Sequence, residues 1–451
     1  MAGVSLSRWT MAYFASALLA LVMAECLMVA GYGYPAVPIA APETLVLVHV
    51  VAIGWLSLLM CGALFQFVPV LVARPLHSNS LPLPTLGCLV AGLVALLFAF
   101  LKMAGQIDLD LAYFPLAATL LAAGFTLVLW NLGRTLWASR PLTLPARFVA
   151  VGLLSVGATA ILGIAFALIL GGVSTNAHLL DVAALGLPIH VIAGLGGWLT
   201  FTAIGVSYRL LAMFMLAPEL DGPSTRGALY LGTAALGVAI VGGVATICFD
   251  GNLTITLSAA GLLGLCAIAL YGRDTVHLYR ARKRRKIELN SRMAILAVAS
   301  LAASAILIGV LLGLGVLGRH IGAVVFLVSF GWLSGLGLSK LYKIVAFLTW
   351  LECYGPVIGK TPTPRVQDLV VESRATKWFA LYFLGVWMAT VALLLDGPLA
   401  FRVSTGAMLI ATSGIIVQLV RSRSLCDVKA ALRLPEGARR PRFLFSSAQH
   451  A

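Results

Sequence analysis

Charge is scarce in this sequence, and negative charge is scarcest. Charged residues make up 10% of the chain, with 31 Lys and Arg against only 16 Asp and Glu. A soluble domain carries about 25–35% charged residues on its surface, so most of this chain must face something other than water. The seven cysteines stand singly, most of them in apolar runs (Cys26, Cys61, Cys88, Cys248, Cys266), and none forms a Cys-x-x-Cys pair. That excludes a disulfide framework and covalent c-type haem attachment, and leaves each cysteine as a small, soft packing residue. A phosphate-cradling Gly loop, a Ser/His/Asp set and a soluble catalytic domain are lacking too. The opening "MAGVSLSRW" has one Arg, and the apolar run after it continues to about Tyr34. It is too long for a signal-peptide core, so the run is expected to be the first membrane span.

What is present is apolar. Hydrophobic residues reach 61% and mean hydropathy is +1.02. Runs of 18 or more apolar residues recur, each long enough to cross a hydrocarbon core of about 30 Å. Reading them between Pro, Gly and charge clusters predicts an all-α polytopic membrane protein of twelve spans: 9–32, 44–73, 83–104, 111–138, 147–172, 182–216, 227–249, 254–279, 293–316, 320–351, 376–395 and 403–421. Spans two, six and ten are the longest, which implies tilt or extension beyond the bilayer. Residues 1–421 thus form the membrane domain, and 422–451 a basic tail expected to be loosely ordered or to lie on the lipid surface.

The net charge of +15 is unevenly placed. Basic residues follow the even-numbered spans (Arg74, Arg134, Arg140, Arg147, Arg226, the run "RARKRRK" at 280–286, then Lys360, Arg365, Arg374 and Lys377). Odd-numbered spans are followed by connections nearly free of Lys and Arg; Arg319 and Arg402 break that pattern. The positive-inside rule then puts both termini in the cytoplasm, with a bacterial inner membrane as the expected location. Basic residues at one face meet anionic lipid head groups. The bilayer is therefore the expected partner, and nucleic acid is not.

Three spans repeat one another. Span two reads "HVVAIGWLSLLMCGALFQFVPVLV" from His49, span six "HVIAGLGGWLTFTAIGVSYRLLAMF" from His190, and span ten "HIGAVVFLVSFGWLSGLGLSKLYKIVAF" from His320. Trp55, Trp198 and Trp332 each follow Gly and precede Leu and a hydroxyl residue. Seven positions later stand Gly62, Gly205 and Ser339, then Phe65, Tyr208 and Tyr342, then Gln66, Arg209 and Lys343. Small residues at helical spacing suit close helix contact. A unit of four spans used three times predicts three pseudo-symmetric four-helix arcs. The histidines all fall toward the same end of their helices, and three imidazoles at comparable depth make His49, His190 and His320 candidate metal or haem ligands.

Twelve spans, three arcs and histidines on spans two, six and ten resemble subunit I of the haem-copper oxidase superfamily. The span-two sequence is most similar to its small C-type-oxidase-like and nitric-oxide-responsive branches. The resemblance implies that His49 matches the span-two ligand of a low-spin haem b and His190 the span-six copper ligand. His320 is then the candidate on span ten, with Arg402 or Arg319 on the haem propionates. It also implies electron transfer or a response to nitric oxide or oxygen, in company with respiratory-chain or cytochrome partners. The departures limit this. Span seven has no histidine and Gly318 stands where a second span-ten histidine would be needed, so copper and a complete dinuclear centre are not expected, and neither is terminal oxidase activity by this chain alone. One haem b held by His49 and His320 remains.

That pairing meets a register problem. His49 stands six residues before its tryptophan, His190 eight and His320 twelve, so Phe326 occupies the place equivalent to His49. Either span ten shifts in register or His320 caps the helix near the surface. Glu25 in span one is expected either to orient the His49 imidazole or to be a protonated acid hydrogen-bonded in the bundle. Lys102, Arg209, Lys340 and Lys343 look like snorkelling or helix-end residues, although Lys340 and Lys343, one turn apart, could begin a proton or anion path. The alternatives to a haem protein are a metal-free transporter or channel using Glu25, Lys340 and Lys343, and an assembly partner for respiratory complexes.

Overall fold

Gly31 and Gly172 carry positive φ just past two helix ends, and Pro42, Pro82, Pro188, Pro223 and Pro398 occupy first turns. Such punctuation, Gly after and Pro at the start, cuts a long apolar chain into discrete helices. The computed structural model describes residues 7–108 and 111–446. It contains twelve helices long and apolar enough to cross a membrane, and no strand among the described residues. They are α1 (Thr10–Ala30), α2 (Pro42–Val72), α3 (Pro82–Met103), α4 (Tyr113–Ala138), α5 (Leu144–Leu170) and α6 (Leu187–Met215), then α7 (Pro223–Cys248), α8 (Leu253–Arg280), α9 (Leu289–Gly313), α10 (Leu317–Val357), α11 (Glu372–Leu394) and α12 (Pro398–Arg423).

The expected limits hold to within a few residues except at two helices. The run expected to open span six at 182 is divided by Gly186: a separate helix, Ala177–Leu185, precedes it, with the Asn176 side chain accepting from Leu179 N at 3.2 Å. The other is α10, whose 41 residues measure roughly 60 Å at helical rise. That is twice a hydrocarbon core, so this helix extends beyond the bilayer rather than merely tilting.

The chain divides into two compact units. One comprises residues 1–39 and 286–451, and so holds α1 and α9–α12. In it α12 packs on α1, α10 and α11, and α9 packs on α10. The other, residues 40–285, holds α2–α8: α3 on α4, α4 on α5, α5 on α6, and α7 on α8. Lipid-facing positions are apolar and open: Leu154 is 75% and Ile161 69% exposed on α5, a pattern stable only in hydrocarbon. Near the basic end of α4, Trp130 and Trp137 are exposed beneath the guanidinium groups of Arg134 and Arg140, an interfacial aromatic anchor.

The repeat helices α2, α6 and α10 are the three most buried of the twelve, and their tryptophans are nearly inaccessible. Each has a π-helical stretch around its Gly-Trp-Leu: residues 50–57, 192–201 and 327–334. The glycine ahead of tryptophan lets the preceding span in. A Cβ on Gly197 would stand 2.5 Å from Ser155 of α5, and one on Gly331 2.8 Å from Ser300 of α9. The π-helical form is thus common to all three copies, and the close approach of a preceding serine at the glycine is shared by α6 and α10.

The tail differs from its expectation. Leu425 and Val428 are buried with Ala346, Cys353, Tyr354, Val357 and Leu369, with Leu432 and Ala438 against the same cluster. The Tyr354 hydroxyl donates to Arg433 O at 2.6 Å. The protruding end of α10 offers an apolar face, and the tail covers it; residues 447–451 lie outside the described residues.

Candidate functional site

His49 is the last residue of α2 before its π-helical stretch. Its Nδ1 lies 2.7 Å from Leu45 O. A carbonyl can only accept, so Nδ1 carries a proton, and in the neutral imidazole Nε2 is then the nitrogen with the free lone pair. A backbone acceptor behind the ring is the usual way a ligating imidazole is fixed in tautomer and orientation. The ring packs on Phe100 of α3, centroids 5.1 Å apart.

His190 sits two residues before the π-helical stretch of α6, in the same unit as His49 and within its electrostatic reach. The glycine at 163 on α5 makes room for it: a Cβ there would meet His190 Cε1 at 3.2 Å. Phe166 flanks the ring at 5.4 Å. The imidazole bonds the Thr159 backbone, while its buried Nδ1 has no hydrogen-bond partner. Two imidazoles thus occupy matching places on sister helices, each with an uncommitted nitrogen.

His320 does not share that place. It stands in the first turn of α10, seven residues before the π-helical stretch, with its backbone N on Val316 O and its Nδ1 buried without a partner. The position just before that stretch belongs to Phe326, which is buried and packed on Phe330 at 4.8 Å and Phe401 at 5.4 Å. Within α10 the register does not shift, and aromatic packing replaces imidazole. Among the described residues no three His, Cys, Asp or Glu side chains converge as a metal ligand set.

Both arginines expected near propionates are engaged by their own unit. Arg319 Nη2 lies 2.5 Å from Asp396, with both side chains mostly exposed. Arg402 Nε donates to Val29 O at 2.9 Å, and its side chain lies over Gly31, whose φ of +77° is one that residues with a Cβ rarely adopt. Exposed contacts of this kind are worth about 0–1 kcal/mol, so they could yield to a stronger anion.

Glu25 is fully buried: Thr412 of α12 donates to its Oε1 at 2.8 Å, and its Oε2 has no partner. Of the two expectations for this residue, the hydrogen bond within the bundle is the one observed. Lys343 pairs with Glu288 at 2.9 Å, and Lys340 is buried within the field of the same carboxylate. Arg209 pairs with Glu219.

Two buried networks go beyond the repeat, which marks only Tyr208 of their residues. Asp274 of α8 receives hydroxyls from Tyr208 (2.9 Å), Thr225 (2.9 Å) and Ser224. Arg423, at the end of α12, holds Glu352 of α10 at 2.5 Å, Thr349 Oγ1 at 3.1 Å and the Arg442 carbonyl at 2.9 Å. An acid inside an apolar run, as in "TWLECY", was the available hint. No family model matches this chain, and no characterised protein matches it in sequence.

Proposed function

We propose that this is a b-type haem protein of the membrane, in which His49 is an axial ligand and the bound haem serves single-electron transfer or a response to nitric oxide or oxygen. The observation that supports the reading is the His49 hydrogen bond: Nδ1 is committed to Leu45 O, which leaves Nε2 as the nitrogen that a haem iron would take. A buried neutral imidazole with a fixed ring is what haem ligation requires. His190 is the second residue of the same kind in that unit. His320 remains a candidate by its unpartnered Nδ1, and Arg319 and Arg402 are the basic groups suited to propionates. Haem would supply a one-electron couple tuned by its axial ligands and burial; the chain's own part is to orient the imidazoles and exclude water. A copper-containing dinuclear centre is not part of this reading. Electrons would come from a respiratory-chain or cytochrome partner, with the protein in a bacterial inner membrane and both termini cytoplasmic.

A pyridine haemochrome assay on protein purified after expression with ample haem tests this. The expected result is haem b in the native protein and none in His49→Ala. Haem-free native protein would overturn the reading. A metal-free transporter is the second reading, and Glu25 favours it, because a fully buried carboxyl with an unpartnered oxygen inside a membrane span is costly and marks a functional position.

A further inference from the structure

The first part of the tail covers the protruding end of α10, and its last described residues come back to the level at which two spans end. Arg439 N still donates to Cys353 O of α10, at 3.2 Å. Three residues on, the Arg442 carbonyl accepts from Arg423 Nε at 2.9 Å, and Arg423 is the last residue of α12. Ser446 N then donates to Arg8 O at 2.9 Å, two residues before α1 begins. Twelve crossings return a chain to the face it started from. Both contacts therefore fix residues 442–446 at one membrane boundary, where the chain enters α1 and leaves α12.

Two kinds of group gather at that boundary. Phe445 packs on Trp9, ring centroids 6.1 Å apart, and the guanidinium groups of Arg8 and Arg442 lie 5.7 and 5.0 Å from the Phe445 ring. Two cations held at one ring repel each other, and no carboxylate among the described residues pairs with either. A guanidinium stacked on a ring keeps its N–H donors in plane and open to a phosphate. Between Arg442 and Phe445 stand Phe443 and Leu444, 57% and 55% exposed. Two adjacent large apolar side chains are costly in water, but at head-group depth they enter the acyl boundary. Arg440, also exposed, adds a third positive charge.

We infer that Arg8, Arg440 and Arg442, with Phe443 and Leu444, form a binding site for an anionic phospholipid. The guanidinium groups take its phosphate, and the apolar pair sits among the ends of the acyl chains. Charge complementarity calls for an anion, and basic residues beside a membrane span attract anionic lipid in this way. The exposed apolar pair between the arginines calls for that anion to carry hydrocarbon. A filled site neutralises the two cations that share the Phe445 ring. It thereby fastens the end of the tail to the start of α1. The site uses neither the histidines nor Glu25.

Chymotrypsin cleavage of the full-length protein in nanodiscs tests this, with bilayers of phosphatidylcholine alone or mixed with phosphatidylglycerol. Cleavage at Phe443 and Phe445 should be slower where phosphatidylglycerol is present. Arg8→Gln and Arg442→Gln should each reduce that protection about fivefold, the worth of one basic residue at an anionic surface. Both substitutions keep the backbone atoms that bond Ser446 and Arg423, so the tail retains its path. The double variant Phe443→Ser, Leu444→Ser keeps Phe445 as a cleavage site and should be cut faster than the native protein in the phosphatidylglycerol bilayer. Equal cleavage of the native protein in the two bilayers would overturn the proposal, as would protection that survives Arg442→Gln or the double variant. Inorganic phosphate added to the phosphatidylcholine discs should give no protection; equal protection by it would assign the arginines to a free anion and overturn the lipid site. The outcome is independent of whether haem binds.

Discussion

Helices α6 and α10 share a Gly-Trp-Leu core, a π-helical stretch and a serine of the preceding span packed against the glycine, yet they treat charge in opposite ways. In α6, the tyrosine ten residues past the tryptophan, Tyr208, closes on Asp274, and two more hydroxyls complete that carboxylate. In α10 the equivalent Tyr342 packs its ring on Phe379, and its hydroxyl has no hydrogen-bond partner; charge is carried instead by Lys340, Lys343 and Glu288. Positions shared between the copies set how helices pack. Positions that differ set how each copy handles charge: one carboxylate is capped by hydroxyls, the other is paired with a lysine.

The largest expected effect lies at the protruding end of α10. Glu352→Ala leaves the Arg423 guanidinium buried and uncompensated, a loss of about 3–5 kcal/mol, seen as a lower thermal unfolding midpoint in detergent. Replacing both Glu352 and Arg423 with Met should recover most of it. The tyrosines sharpen the contrast most directly. Tyr208→Phe removes a hydrogen bond to a charged group and should cost about 1.5–3 kcal/mol, whereas Tyr342→Phe should be neutral in the same assay. Equal losses would erase the distinction between the helices. Gly197→Val and Gly331→Val should each cost about 1–3 kcal/mol by overpacking, with partial relief from Ser155→Gly and Ser300→Gly respectively. Relief at only one of them would mean that the two copies do not pack alike.

A smaller effect is expected from pH at the tail. Burial raises the Asp427 carboxyl, but hydrogen bonds and charge from Arg421 (2.6 Å) and Arg374 (2.7 Å) outweigh it and hold the group below its ordinary value. Its stabilisation is therefore complete above the unfolded value, about 3.9, and fades as pH falls through the lowered folded one. Limited proteolysis of the tail against pH should show protection lost at the acid end, and Asp427→Asn should flatten that dependence.

The twelve spans were legible because apolar runs of membrane length tolerate few readings, and the repeat because tryptophan and glycine are rare enough to align by eye. The π-helical stretches were not: one extra residue per turn alters which carbonyls point outward without altering hydropathy. Glu25 was visible as an intramembrane acid, but Thr412 lies 387 positions away and nothing local announces it. The tail misled because Leu425, Val428 and Leu432 are spread among basic residues, and their burial depends on how far α10 extends. For the histidines, spacing to tryptophan was the informative signal. It put His49 and His190 one and two residues before their π-helical stretches and His320 seven before its own, where Phe326 holds the adjoining position and packs on Phe330 and Phe401.

The reduced-minus-oxidised absorption spectrum of the native protein beside His49→Ala, His190→Ala and His320→Ala tests the central claim most directly. The account predicts a b-type band in the native protein that disappears in His49→Ala and is lost or shifted in whichever variant removes the second ligand. A native spectrum without that band, or a band unchanged in His49→Ala, would contradict it.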